Sequence, residues 1–232
     1  PYGVFFAPSV SPSNRATLGG MINTDACGKG SRVYGRTSDH VLELQCVLSD
    51  GKLLNSVPLD QNGLEVQKQQ PGLLGRIFRT VDEIVTTRKD LIDDTFPKLS
   101  RFMSGYNLAR VYDSNQGRFN LNYLLAGSEG TLVFVSEARL RLTPIPSRRM
   151  LLLIRYESFE DALRDAARLV KSDPTAIETI DEKILSLARE DEIYLKVEKF
   201  LGGPSIRPTR TINLVEFTGD DFEVLQNWVD KL

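Results

Sequence analysis

The sequence is poor in the side chains that most often do chemistry on their own. Among 232 residues there is one histidine, His40, and there are two cysteines, Cys27 and Cys46. One imidazole and two thiols cannot complete an all-nitrogen-and-sulfur zinc site unless carboxylates join. The cysteines have neither metal nor redox spacing, and no cysteine cluster for an iron–sulfur centre is present. They fit a reducing compartment, and a Cys27–Cys46 disulfide is not expected. A single histidine leaves few choices for an imidazole general base. No apolar run approaches the ~20 residues of a membrane-spanning helix, and no signal peptide opens the chain. The net charge of -2 offers no electrostatic reason to expect nucleic acid or an anionic membrane as partner.

An apolar fraction of 41% and a charged fraction of 26% place the chain among soluble proteins with a real core. The length suits one large domain or two small ones. The chain opens on PYGVFFAPSV, with no Met and an apolar run at once, so the expectation is an internal piece of a larger protein.

The densest feature is Pro8 to Gly35, PSVSPSNRATLGGMINTDACGKGSRVYG, rich in glycine, hydroxyls and small residues. Such a run lets backbone N–H groups approach a ligand without a Cβ in the way. A short helix is expected from about Thr17 through Ile22, its first-turn N–H groups suited to phosphate. Two common phosphate motifs nearly occur here and fail. A P-loop ending at Gly28-Lys29 would have Asn23 as its first glycine and Gly30 as its hydroxyl. Gly28-Lys29-Gly30 is followed by Val33 where a Rossmann turn needs glycine.

The rest of the chain predicts alternating elements. Val4–Ala7 and Val41–Leu48 read as strands, with Asp50-Gly51 turning a hairpin. Gln61–Gly72 reads as a polar loop. Leu73–Phe96 carries one apolar face of a long helix ended by Pro97. A strand is expected over Thr131–Leu142, then a linker at Thr143–Ser147. Beyond it, Met150–Tyr156, Ala176–Ile180 and Thr211–Phe217 read as strands. The helices expected there are one capped by Ser158 with Phe159, Ala162, Leu163, Ala166, Ala167 and Val170 inward, one over Asp181–Arg189, and one capped by Asp220. The fold class is α+β, the second half a sheet covered by helices on one face.

Taken in order, Ser13-Asn-Arg-Ala-Thr17-Leu-Gly19-Gly20, Asn23-Thr24, Gly28, Tyr34-Gly35, Val41-Leu42, Asp50-Gly51 and, much later, Gly127-Ser-Glu-Gly-Thr131 strongly resemble the FAD-binding domain of the vanillyl-alcohol oxidase/PCMH superfamily. Within it the chain is similar to FAD-linked 2-hydroxyacid dehydrogenases of the D-lactate, glycolate and D-2-hydroxyglutarate types. The long bacterial FAD-linked oxidoreductases with a C-terminal iron–sulfur domain resemble it most. The resemblance implies residues 1–146 as the later part of a PCMH-type FAD-binding domain and 147–232 as the beginning of a substrate (cap) domain.

It also implies the site. Thr17, Gly19 and Gly20 fall in the segment that wraps FAD pyrophosphate, and Thr24, Asp25, Cys27 and Gly28 match the run beside the flavin and ribityl chain. Pro8, Ser13, Ala16, Asn23, Tyr34 and Gly35 are counted with them as cofactor-binding. Glu129, Gly130, Thr131, Val133 and Val135 match the segment lining the adenine–ribityl side. The expected cofactor is FAD and the expected reaction is hydride transfer from a D-2-hydroxyacid to flavin. The electron acceptor is left open. By the same resemblance the first pyrophosphate loop, the divalent-metal and substrate histidines and the iron–sulfur cysteines lie outside this chain. No catalytic or metal-binding residue is therefore assigned within it, and the piece is expected to be inactive alone. The expected location is cytoplasmic, or peripheral to the inner membrane. Two other readings stay open: an FAD-binding module without a catalytic role, and an oxidase of a different alcohol.

Four further features remain. Cys27 is expected as a small packing residue rather than a flavin attachment point, and His40 as a surface or strand-end histidine. Arg15, Lys29, Arg32 and Arg36 are read as solvated loop charges, the alternative being a positive field for FAD phosphates or a hydroxyacid carboxylate. The segment Phe102-Met-Ser-Gly105-Tyr106-Asn107-Leu108 also resembles the relatives, where it precedes the flavin-lining turn.

Overall fold

The structure is a computed structural model that describes residues 2–99, 101, 105–113, 117–192, 194–201 and 209–232. The chain divides into two compact units, residues 1–143 and 144–232.

The first unit opens with β1 (Val4–Phe5), α1 (Leu18–Asn23), α2 (Ser31–Tyr34) and α3 (Thr37–His40), which leads directly into β2 (Val41–Val47). The Cys27–Gly35 stretch thus contains one helical turn, α2. β2 is the middle of a three-stranded antiparallel sheet, with β3 (Leu53–Ser56) on one side. The turn between them is the Asp50-Gly51 hairpin, with Gly51 at φ 81. Buried positions on β2 step from Val41 to Leu44 and then to Cys46, which a strict period of two forbids. A register shift against the other neighbour, between Val41 and Glu43, supplies the extra residue.

Helices α4 (Gln61–Lys68), α5 (Gly72–Thr87) and α6 (Lys89–Thr95) come next. Two expectations are corrected here. Gln61–Gly72 is mostly helix, because the Asp60 side chain caps it by accepting from the Gly63 N–H at 2.7 Å and Leu64 anchors it in the core. The Leu73–Phe96 stripe is two helices, broken where Arg88 leaves helical geometry at φ -109 and ψ 20. Apolar spacing survives such a break because both pieces bury the same side: Phe78, Val81, Val85 and Ile92. After the short strands β4 (Tyr112–Asp113) and β5 (Arg118–Phe119) and helix α7 (Asn122–Leu125), β6 (Phe134–Leu140) closes the sheet in the order β3-β2-β6. Phe78 and Phe119, 6.0 Å apart, sit in one core with Ile22, Leu44, Leu54 and Leu121. The two-residue β7 (Thr143–Pro144) stands at the boundary of the units.

The second unit is a three-stranded antiparallel sheet with the order β8-β10-β9: β8 is Arg148–Tyr156, β9 is Ala176–Ile180 and β10 is Thr211–Gly219. Alternation along the central β10 sends Val215 and Phe217 into one cluster and Ile212 into another. α8 (Phe159–Leu169) and α11 (Phe222–Asp230) supply Leu169 and Leu225 to the first; α9 (Glu182–Arg189) and α10 (Tyr194–Leu201) supply Leu185 and Leu201 to the second. Helices therefore cover both faces, not one. The reason is visible in the sequence: β10 is apolar on both sides, with Ile212, Leu214, Val215 and Phe217.

Two details of that unit also change. α8 buries Ala162 and Leu169, while Phe159, Leu163 and Val170 stay exposed. The polar half of its inward face is Asp165, whose carboxylate accepts from the Tyr156 hydroxyl at 2.6 Å. α11 is capped by Asp221, which accepts from the N–H groups of Glu223 and Val224; Asp220 instead accepts from the Ser147 N–H at 2.9 Å.

Candidate functional site

The opening glycine-rich run turns around the short α1. Thr17 caps it, accepting from the Gly20 N–H at 3.1 Å, as the hydroxyl-x-x-Gly spacing allows. Asn23 and Thr24 fold back on the same helix, donating to the Gly19 and Gly20 carbonyls at 2.9 Å each. No acidic side chain stands in its first turn. Thr17, Gly19 and Gly20 are exposed, and a Cβ built on Gly19 meets nothing within 4 Å. Upstream, Ser13 and Ala16 are held by turns on Val10 and Pro12, and Pro8 is buried.

The chain just beyond α1 is packed far more tightly. Asp25 adopts left-handed geometry at φ 45 and is 5% exposed. One carboxylate oxygen accepts from the Ser38 N–H at 2.8 Å, and the other lies 3.0 Å from the Arg36 guanidinium, itself 3% exposed. Thr37 donates both its backbone N–H and its hydroxyl to the Ala26 carbonyl. Gly28 is pressed against the Ser9 backbone: a Cβ there would collide with the Ser9 carbonyl oxygen. Cys27 is half-buried and Cys46 fully buried; both are free thiols, and burial pushes the Cys46 thiol up to about 11.

About 100 residues later the Gly127–Thr131 turn comes back to this place. The Gly127 N–H donates to the Ile22 carbonyl at 2.9 Å and the Glu129 N–H to the Asn23 carbonyl at 2.8 Å. Gly127 sits at φ 82, and a side chain there would press on the Asp25 Cβ. Glu129 is also left-handed, at φ 51. Glu129, Gly130 and Thr131 are exposed, Val133 is buried and Val135 half-buried against the core. The Thr131 hydroxyl donates to the Ser128 carbonyl at 2.6 Å and lies 2.8 Å from the Tyr106 hydroxyl. Of the segment Phe102–Leu108, Phe102, Met103 and Ser104 lie outside the described residues.

The expected site residues therefore fall into two groups. Residues 17–25 and 127–131 meet through backbone bonds, although nothing in their spacing announces it. Tyr34 and Gly35 are tied instead to α3: the Tyr34 carbonyl lies 2.8 Å from His40 Nε2, and the Tyr34 ring meets Phe5 edge-on. His40 is buried between that carbonyl and the Arg141 carbonyl, 3.2 Å from Nδ1, so it is not a surface residue. Arg36 is likewise no solvated charge. Its partner is eleven positions away across a turn, a pairing without a sequence signal. Asp39 is a second such case, accepting from the Arg36 N–H at 2.8 Å and pairing with the Arg110 guanidinium.

Known proteins are similar to this chain in sequence and in fold. Residues 1–56 match the FAD binding domain family and residues 145–231 match the family of FAD linked oxidases, C-terminal domain. The chain is 52% identical to D-2-hydroxyglutarate dehydrogenase of Pseudomonas putida over 95% of this chain, and 45% identical to that of Escherichia coli over all of it. It spans only 22% and 23% of the length of those two relatives. Glycolate oxidase subunit GlcD of Bacillus subtilis is 26% identical over 99% of the chain and 36% of its own length. Among solved structures, alkyldihydroxyacetonephosphate synthase shares the fold with a TM-score of 0.62 at 17% identity, over 99% of this chain and 33% of that one.

Proposed function

We propose that this chain holds FAD in an oxidoreductase that converts a D-2-hydroxyacid, D-2-hydroxyglutarate in the first instance, to the corresponding 2-oxoacid. The observation that carries this is the pair of backbone bonds joining residues 22–23 to 127–129. They bring together the two segments that the resemblance assigns to one flavin. The residues fit the group. An exposed helix start without acidic side chains, a hydroxyl cap and an open Gly19 suit a diphosphate. Asn23 Oδ1 and Ser128 Oγ are buried at the same junction without a hydrogen-bond partner among the described residues, and a polar ligand completes such groups.

Thr17, Gly19 and Gly20 would take the pyrophosphate, with Pro8, Ser13 and Ala16 shaping the approach. Asn23, Thr24, Cys27 and Gly28 would line the flavin and ribityl chain. Glu129, Gly130 and Thr131 would face the adenine–ribityl side, while Val133 and Val135 hold that strand in the core. Asp25 acts behind the loop, and Tyr34 and Gly35 act through α3. Bound FAD supplies the two-electron acceptor for hydride from the substrate carbon; the protein supplies position and excludes water. We assign residues 1–146 to the FAD-binding domain and 147–232 to the cap domain, a reading that the division at Thr143–Pro144 and the Pro-flanked linker support. The two free thiols support a reducing compartment, the cytoplasm. No described helix is long and apolar enough to cross a membrane.

The test is the full-length product of the gene. It is expected to purify with a flavin absorption spectrum that D-2-hydroxyglutarate bleaches under anaerobic conditions. A protein that stays colourless after FAD is added overturns the reading; one that binds FAD but is never reduced by any 2-hydroxyacid supports a binding module instead.

A further inference from the structure

Tyr106 joins the Gly127–Thr131 turn from another part of the chain. Its hydroxyl lies 2.8 Å from the Thr131 hydroxyl, although 25 positions separate the two residues. Thr131 has one hydroxyl proton, and that proton is already committed: it goes to the Ser128 carbonyl at 2.6 Å. The Thr131 backbone N–H donates to the same carbonyl at 3.0 Å, so the residue is anchored at two points. The proton between Tyr106 and Thr131 therefore comes from Tyr106. Donation runs from Tyr106 to Thr131 to Ser128, and each hydroxyl polarises the next.

That order decides what the turn offers a ligand. With its proton committed, the Tyr106 oxygen accepts and does not donate, and Thr131 Oγ1 keeps one lone pair in the same sense. Both residues are exposed. Glu129, exposed between them and α1, adds a carboxylate. Asn23 supplies one more acceptor. Its Nδ2 donates to the Gly19 carbonyl, and its Oδ1 is buried without a donor among the described residues. Ser128 Oγ, buried there without a partner among the described residues, serves in either sense. The start of α1 is opposite in character, with N–H groups and no acidic side chain in its first turn. The Gly127–Ile22 and Glu129–Asn23 bonds hold the two against each other. A ligand spanning them meets donors at one end and side-chain acceptors at the other. A diphosphate only accepts and suits the helix start; a polyol has protons to give and suits the turn.

We propose that Tyr106 is a further cofactor-positioning residue: by donating to Thr131 it makes the pair an acceptor for a ribityl hydroxyl of FAD. This rests on the reading given under the proposed function. The adenine amine is a second proton donor on the same ligand, so the test separates the two.

The test is FAD titration of the full-length apoprotein, followed by flavin fluorescence, in Y106F, T131V, T131S and Y106F/T131V. Y106F and T131V are each expected to raise the Kd about five- to tenfold. T131S keeps the hydroxyl and is expected to stay within about twofold of the native value. The double variant is expected to match the single ones within about twofold, because the two hydroxyls act as one relay. Apoprotein melting temperatures are expected to move by less than about 2 °C, since both residues are exposed. An unchanged Kd in Y106F, or a loss of affinity matched by an equal loss of apoprotein stability, makes the pair a structural brace and overturns the proposal. Flavin hypoxanthine dinucleotide, which lacks the adenine amine, identifies the donor. The Y106F effect persists with it when a ribityl hydroxyl donates; its disappearance assigns the contact to the amine and overturns the ribityl reading. A native protein that takes up no FAD overturns the proposed function and this inference together. FAD binding that Y106F weakens, in a protein that oxidises no 2-hydroxyacid, overturns the proposed function alone.

Discussion

Glu129 donates its backbone N–H to the carbonyl oxygen of Asn23 at 2.8 Å, from a left-handed conformation at φ 51. That conformation costs a residue with a side chain on the order of 1 kcal/mol. The bond to Asn23 and the adjoining Gly127–Ile22 bond hold the turn in place. They leave the exposed faces of Gly130 and Thr131 beside α1, where the flavin reading needs them.

Glycines 19 and 28 separate ligand space from packing. In G19A the new methyl meets nothing in the protein, and alanine is the better helix former, so thermal stability is expected to hold or rise. FAD affinity is expected to fall about tenfold or more, because the methyl occupies the approach to the N–H groups. G28A drives a Cβ into the Ser9 carbonyl and is expected to cost about 2 kcal/mol or more. Thermal melting of the apo proteins and FAD titration check both; G28A melting like the native protein would contradict the packing.

The Asp25–Arg36 pair is buried on both sides, so removing one partner strands the other. R36M is expected to destabilise the first unit by about 3 kcal/mol or more, and D25N less, because its amide oxygen still accepts from Ser38. Urea midpoints at constant m-value measure this.

The capping assignment at α11 has its own check. D221A is expected to lose about 1 kcal/mol at neutral pH, and D220A less. The Ser147 N–H holds the Asp220 carboxyl below its ordinary value. Its small contribution is therefore present above the usual carboxylate range and lost as pH falls through the lowered value. The native and D220A stabilities should converge in acid.

Tyr156 governs the alkaline side. Burial, and then its hydrogen bond to Asp165, push its hydroxyl up to about 12. With the folded value raised, the contribution is complete below the free tyrosine value of about 10 and is lost as pH rises towards the folded value. It amounts to something on the order of 2 kcal/mol. Y156F should show a flatter stability profile above about pH 10.

The two thiols should differ. Cys46 is fully buried and its thiol is pushed up to about 11, so a disulfide reagent at pH about 8 should label Cys27 alone in the native chain and both in denaturant. Two equivalents from the native protein would mean that the β2 core opens.

Much of this was legible in the residues. Thr17, Ser158 and Asp181 announce helix starts because a side-chain oxygen three positions before a free N–H is a local relation. Asp50-Gly51 announces its hairpin for the same reason, and the order of glycines and hydroxyls in 8–35 carries the resemblance to the FAD binding domain family that residues 1–56 match. The Arg88 break, the α4 helix and the phase of α8 were not legible, since composition and apolar spacing tolerate each alternative. Nor were the meeting of residues 22–23 with 127–129 and the burial of Arg36 and His40. Those depend on which distant carbonyls and carboxylates the packed core brings within about 3 Å. Local hydrogen bonding is written along the chain, whereas long-range pairing is decided only when burial removes water as the competing partner.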